Sequence, residues 1–172
     1  MKSQTIITMF ATLALVVGLF AWGYANRGNP ATSAEATGGR SGIAGSLAIS
    51  ETFYDFGTIS MRDGNVTREF TITNPTPEDV LLSSLITSCM CTTSFIVTPD
   101  GAVRGPFGMP GHGRSVPPAN ETIKAGESRI VRVVFDPNAH GPAGVGRIER
   151  VVTMTEATGA TVTFGFKALV TP

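Results

Sequence analysis

Apolar and polar residues alternate with period two over most of the second half of this chain. In "TVTFGFKALV", Val162, Phe164, Phe166, Ala168 and Val170 share one face, while Thr161, Thr163, Gly165, Lys167 and Leu169 share the other. That spacing predicts a half-buried strand. "REFTITN" sets Phe70 and Ile72 against Glu69, Thr71 and Thr73. "SRIVRVVFD" carries Val131, Val133 and Phe135 on one face and Ile130 and Val134 on the other, as a central strand would. "RIERVVTMT" aligns Ile148, Val152 and Met154, with Arg150 breaking the run as at a sheet edge. "VLLSSLITS", "TTSFIVT" and "YDFGTI" complete the set.

Between these runs stands turn chemistry: Asn74-Pro75-Thr76-Pro77, Lys124-Ala125-Gly126-Glu127 and Thr158-Gly159 offer proline or glycine where the chain must reverse. No helical period is sustained after residue 27. About seven short strands at this spacing predict an all-β fold, an immunoglobulin-like antiparallel β-sandwich. Residues 100–120, "DGAVRGPFGMPGHGRSVPPAN", hold four prolines and five glycines without a strand pattern. They read as a long inserted loop, and loops of that length are usually functional or disordered.

The amino terminus differs in kind. Residues 6–25 contain no charge, enough for a helix across a hydrocarbon core of about 30 Å, so the fold is expected to be preceded by one transmembrane helix. Lys2 and Arg27 flank the stretch, and Trp22 and Tyr24 sit at its outer end, where amphipathic aromatics favour the interface. "GYA" has the small-x-small form of a signal cleavage site, but the length and the aromatic end favour an uncleaved anchor. Residues 28–46 are rich in Gly, Ser, Ala and Thr and read as a flexible tether. The expected organisation is an anchor or signal segment over 1–27, a linker over 28–46 and one sandwich over 47–172. The expected location is the cell membrane, single-pass, with the sandwich on the extracytoplasmic side and other envelope proteins as partners.

Thirteen basic and thirteen acidic residues give a net charge of zero, with no basic stripe, so nucleic acid is not an expected partner. "GMPGHGRS" approaches the phosphate-cradling loop, but Arg114 replaces its lysine and Pro117 and Pro118 follow where a helix must start. Nucleotide is excluded on that ground. No G-x-S-x-G elbow is present, and the expectation is a binding module, not an enzyme.

The chain has only two cysteines, and "TSCMCTTSF" holds both, separated by Met90. In a straight strand, residues two apart have Cα atoms about 6.6 Å apart. A bridge there would be strained, which weighs against a stabilising cross-link. Three alternatives remain: two thiolates clamping a soft metal ion, a pair cycling between dithiol and disulfide, or two small apolar residues packed at a strand end. His112 in "PGHG", His140 in "NAHGPAG", Met90 and Met109 add to the soft donors of the folded part. The preferred expectation is a site for copper as Cu(I), with zinc second: Cys89 and Cys91 as thiolate ligands, His140 as third donor, Met109 and His112 as capping ligands.

"YDFGTI", "FTITN", "SCMCTT", "AGES" and "FDPNAHGPAG" also occur in an order that resembles the bacterial domain-of-unknown-function 1573 family. The resemblance runs from residue 50 to about residue 170. It implies an immunoglobulin-like domain of the Hydin type, commonly exported or membrane-anchored, and it implies no settled activity. In the family's pattern the Cys-x-Cys and the histidine of F-D-P-x-x-H-x-G recur together, which pairs Cys89 and Cys91 with His140. Met90 stands where the family has glycine, and the loop over 100–120 is longer than usual, so no role for His112 or Met109 follows from the family.

Overall fold

The computed structural model describes residues 42–111 and 115–172. The expected anchor over 1–27, most of the expected linker and His112 lie outside the described residues. No helix among the described residues is long and apolar enough to cross a membrane.

Eleven strands build two sheets: β1 (Gly42–Ala44), β2 (Leu47–Ile49), β3 (Phe53–Ser60), β4 (Val66–Thr73), β5 (Val80–Thr87), β6 (Thr92–Val97), β7 (Val103–Phe107), β8 (Glu121–Ile123), β9 (Ser128–Phe135), β10 (Gly146–Glu156) and β11 (Thr161–Thr171). The first sheet runs β1-β2-β4-β9-β6-β7 and the second β3-β11-β10-β5-β8. All seven runs of alternation are strands. The additional four are short, and β7 is formed from residues of the expected loop. Pairing starts at Gly42, inside the stretch read as tether.

One pairing corrects the expectation of a wholly antiparallel sandwich: β3 lies parallel to β11. Both run in the same direction because β3 enters the second sheet from the β1-β2 hairpin of the first, then leaves it again for β4. No direct hairpin joins β3 to its neighbour.

The alternation decides which side chains meet between the sheets. Val162, Phe164, Phe166, Ala168 and Val170 of β11 are all buried, as are Phe70 and Ile72 of β4 and Val131, Val133 and Phe135 of β9. Phe70 meets Phe164 at 4.8 Å between ring centroids, and Phe135 meets Phe166 at 5.4 Å, so the core is sheet on sheet. At one end the two layers are also tied by charge. Glu121 of β8 accepts from Arg129 Nε of β9 at 2.7 Å, both side chains being more than nine-tenths buried.

Candidate functional site: a cysteine pair at the crossover between the sheets

Strand β5 belongs to the second sheet and β6 to the first, so the chain must change layers within residues 88–91. Both cysteines fall in that crossover. The expectation of a straight strand is therefore corrected: the Cα atoms of Cys89 and Cys91 are 5.3 Å apart, and the two residues form a disulfide. The turn brings the Cβ atoms together, which an extended segment would not do.

Neighbouring strands fix the turn. Ser88 N donates to Val151 O at 2.9 Å, and Ser88 Oγ accepts from Val151 N at 2.9 Å. Cys91 O accepts from Asp136 N at 2.9 Å, and Thr92 N closes on Cys89 O at 3.1 Å. The buried Thr87 hydroxyl lies 3.1 Å from Cys89 O and 3.0 Å from Thr92 O. Crossover geometry is thus tied to β10 and to the end of β9.

Two side chains from other elements reach the sulfurs. His140 follows β9 at the end of a tight loop in which Asp136 Oδ1 accepts from Asn138 N at 2.8 Å and Asn138 O accepts from Gly141 N at 2.9 Å. Gly141 has φ +53°, the left-handed region glycine enters freely, and this turn carries the exposed imidazole back toward the crossover. His140 Nε2 lies 3.1 Å from Cys89 Sγ. A disulfide sulfur has no proton to give, so the contact is a hydrogen bond only in the tautomer that carries the ring proton on Nε2. Cys91 N–H also donates to Cys89 Sγ, at 3.3 Å.

Arg150 approaches Cys91. It lies on β10 two residues before Val152, which pairs with the final β5 residue, Thr87. Beyond that point β5 has turned away, and the guanidinium occupies the vacated flank with Nε donating to Cys91 Sγ at 3.1 Å. Nη1 donates to Glu149 O at 2.7 Å. Among the described residues Arg150 makes no ion pair with a carboxylate, and burial pushes its pKa down from the ordinary value. Its cation faces a sulfur in place of a counter-ion.

The two sulfurs are unequal. Cys91 is 2% exposed and Cys89 is half-buried beside the exposed His140, with Met90 projecting from the turn at 60% exposure. On the side of Met90, a cleft of about 650 Å3 is lined by Thr92, Thr93, Phe107, Met109 and Val116.

Of the expected metal donors, the structure brings Cys89, Cys91 and His140 together, with all ligand atoms within 4.8 Å of one another. Met109 lines the cleft, and His112 is outside the described residues. The sulfurs are bonded to each other, which corrects the expectation of two free thiolates: as a disulfide the pair offers no thiolate to an ion. Arg150 was noticed in the sequence only as a break in the alternation. Its parity with Ile148, Val152 and Met154, which sets a charge on the core-facing side of a strand, is the signal that points to it.

Among curated proteins nothing matches the sequence. Solved structures resemble it in fold. A protein of unknown function from Porphyromonas gingivalis W83 aligns with 72% of this chain at 19% identity and a TM-score of 0.50, and this chain spans 46% of that one. The ASH/PapD-like domain 7 of human CEP192 aligns over 84% of this chain and 98% of its own length, at 14% identity and a TM-score of 0.44. Residues 47–99, which include the crossover and both cysteines but stop before His140, match the model of the family described as "Protein of unknown function (DUF1573)".

Proposed function

We propose that this domain is a thiol–disulfide exchange module, with Cys89 the attacked and attacking sulfur and Cys91 the buried partner. One observation carries the reading: each sulfur lies 3.1 Å from a nitrogen of a basic side chain that can stabilise a thiolate, His140 Nε2 at Cys89 and Arg150 Nε at Cys91. Charge-assisted hydrogen bonds are roughly twice as strong as neutral ones, and cationic neighbours lower cysteine pKa values. A bridge present only to hold the fold needs no such donors.

Exchange follows from the unequal burial. A partner's thiolate attacks Cys89 Sγ, the accessible sulfur; the Cys89–Cys91 bond breaks and its electron pair leaves on Cys91 Sγ, next to the Arg150 guanidinium. The product is a mixed disulfide between Cys89 and the partner. A second thiolate of the partner then attacks the partner's own sulfur in that bond and displaces Cys89 as a thiolate beside His140. Two electrons have moved from a partner dithiol to this domain, two protons balance them on its thiols, and the partner holds a disulfide. Run backwards, the reduced pair reduces a partner disulfide.

The uncharged stretch over residues 6–25 supports placing the module at a membrane with its sandwich outside the cytoplasm, where disulfides persist. Its partners there are envelope proteins with exchangeable cysteines.

Trapping tests the assignment. Incubated with glutathione disulfide after reduction, the Cys91→Ser variant is expected to accumulate a mixed disulfide at Cys89, detected by intact mass, whereas Cys89→Ser accumulates far less because its remaining thiol is buried. Equal trapping by both variants, or a native bridge that millimolar dithiothreitol leaves intact until the protein is denatured, would sink the reading.

A further inference from the structure

We propose that the reduced pair, together with His140, is a three-donor site for Cu(I), so that copper occupancy and the disulfide exclude each other. This rests on the exchange reading in one respect: the bridge must open in the native protein.

The donors fit in chemistry and in reach. Two thiolates and an imidazole are soft to borderline ligands, which select Cu(I) or Zn(II) and reject the oxygen-seeking Mg(II), Ca(II) and Mn(II). An ion about 2.3 Å from each sulfur and about 2.0 Å from a ring nitrogen joins donors up to roughly 4.3 to 4.6 Å apart. The three ligand atoms lie within 4.8 Å of one another while the sulfurs are still bonded to each other. Freed sulfurs need only rotate about their Cα–Cβ bonds, because the backbone carrying them is held by β9 and β10 through Asp136 and Val151.

Charge and donor number separate the two metals. Structural zinc takes four protein ligands, and the described residues bring three together. Cu(I) with two thiolates and a neutral imidazole carries a net charge of −1. The Arg150 guanidinium, 3.1 Å from Cys91 Sγ and without a carboxylate partner among the described residues, balances it. Zn(II) with the same ligands is neutral and leaves that half-buried cation without a counter-charge. No electron moves on binding: Cu(I) enters as Cu(I), remaining thiol protons leave to solvent, and the imidazole proton passes from Nε2 to Nδ1 so that Nε2 can ligate.

The test uses the full-length chain in detergent under anaerobic conditions. The bridge is reduced, reductant is removed, thiols are counted with a maleimide, and Cu(I) is titrated in competition with a chromophoric chelator. Expected are two thiols and one Cu(I) per reduced chain, none per oxidised chain, and protection of both thiols from maleimide once copper is bound. His140→Ala should keep both thiols and weaken copper binding by more than about tenfold, the scale on which even outer-shell partners act. Two countable thiols with no Cu(I) uptake, or uptake unchanged in His140→Ala, overturns this site and leaves the exchange reading standing. Failure to count any thiol in the native protein overturns both.

Discussion

If the bridge serves exchange, opening it must leave the domain folded, and the size of the loop it closes predicts that it does. Cys89 and Cys91 are separated by two positions in sequence. On the chain-entropy model, a loop of about three residues contributes about 1.6 kcal/mol at 25 °C, against about 3 kcal/mol for a 15-residue loop. Reduced Cys91 keeps its burial as a small apolar side chain, so no packing is lost with the bond. At roughly 4 °C per kcal/mol for a domain of about 130 residues, reduction should lower Tm by about 6 °C. Thermal unfolding followed by circular dichroism, on oxidised and reduced protein and on the Cys89→Ala/Cys91→Ala variant, measures this directly. A single cooperative transition displaced by that amount is expected for the reduced protein and for the variant. A drop beyond about 15 °C, or loss of cooperativity on reduction, would make the bridge a structural staple and refute the exchange argument.

Arg150→Met should fold normally but slow mixed-disulfide formation in oxidised protein by tenfold or more, since a hydrogen bond to a charged group is worth about 1.5 to 3 kcal/mol; stopped-flow thiol exchange reads the rate. Gly165 faces the backbone of Arg150, and an added Cβ would sit 2.4 Å from Arg150 O, so Gly165→Ala should lose about 1 to 3 kcal/mol in urea unfolding and slow exchange with it. Glu121→Gln leaves the buried Arg129 with only the rim carboxylate of Glu127 at 3.0 Å, and should lower stability by about 3 kcal/mol in the same assay. The Asp100 carboxyl is held below its ordinary 3.8, first by the Thr98 hydroxyl and then by Ala102 N–H. Its contribution is present above the ordinary value and lost as pH falls through the lower folded value, so Asp100→Asn should flatten the acid limb of the stability curve between those two values.

The fold was legible where one face of a strand is buried. Phe70 and Ile72, or Val162 to Val170 in steps of two, state their orientation in residue type, and each lies where alternation puts it. β7 was not legible for the opposite reason: Val103, Arg104, Gly105 and Pro106 are all exposed, so no apolar residue marks a face until Phe107. The parallel neighbour of β3 was hidden because pairing partners far apart in sequence leave no local trace. At the site, residue types named the donors Cys89, Cys91 and His140, yet the straight-strand premise misjudged the bridge. Whether "SCMC" continues a strand or crosses between layers depends on which sheet receives β5 and which receives β6, and no local pattern carries that information.

On the exchange reading, the crossover also explains how a reactive bond can sit in a folded β-sandwich without being part of its framework. Most contacts that fix the turn do not involve sulfur: Ser88 bonds to Val151, Cys91 O to Asp136, and the Thr87 hydroxyl lies beside the carbonyls of Cys89 and Thr92, while Cys91 N–H donates to Cys89 Sγ. Sheet-on-sheet contacts such as Phe70 with Phe164 carry the cohesion, and losing one aromatic ring there costs about 3 to 5 kcal/mol, two to three times the entropic worth of the bridge. The scaffold is therefore expected to tolerate either state of the sulfurs. The side chains of His140 and Arg150, with the Cys91 N–H, are the groups that would change from touching a neutral disulfide to facing a negative charge. On the exchange reading, thiolate chemistry at this site is controlled by His140 and Arg150, and substitutions there are expected to alter reactivity far more than stability.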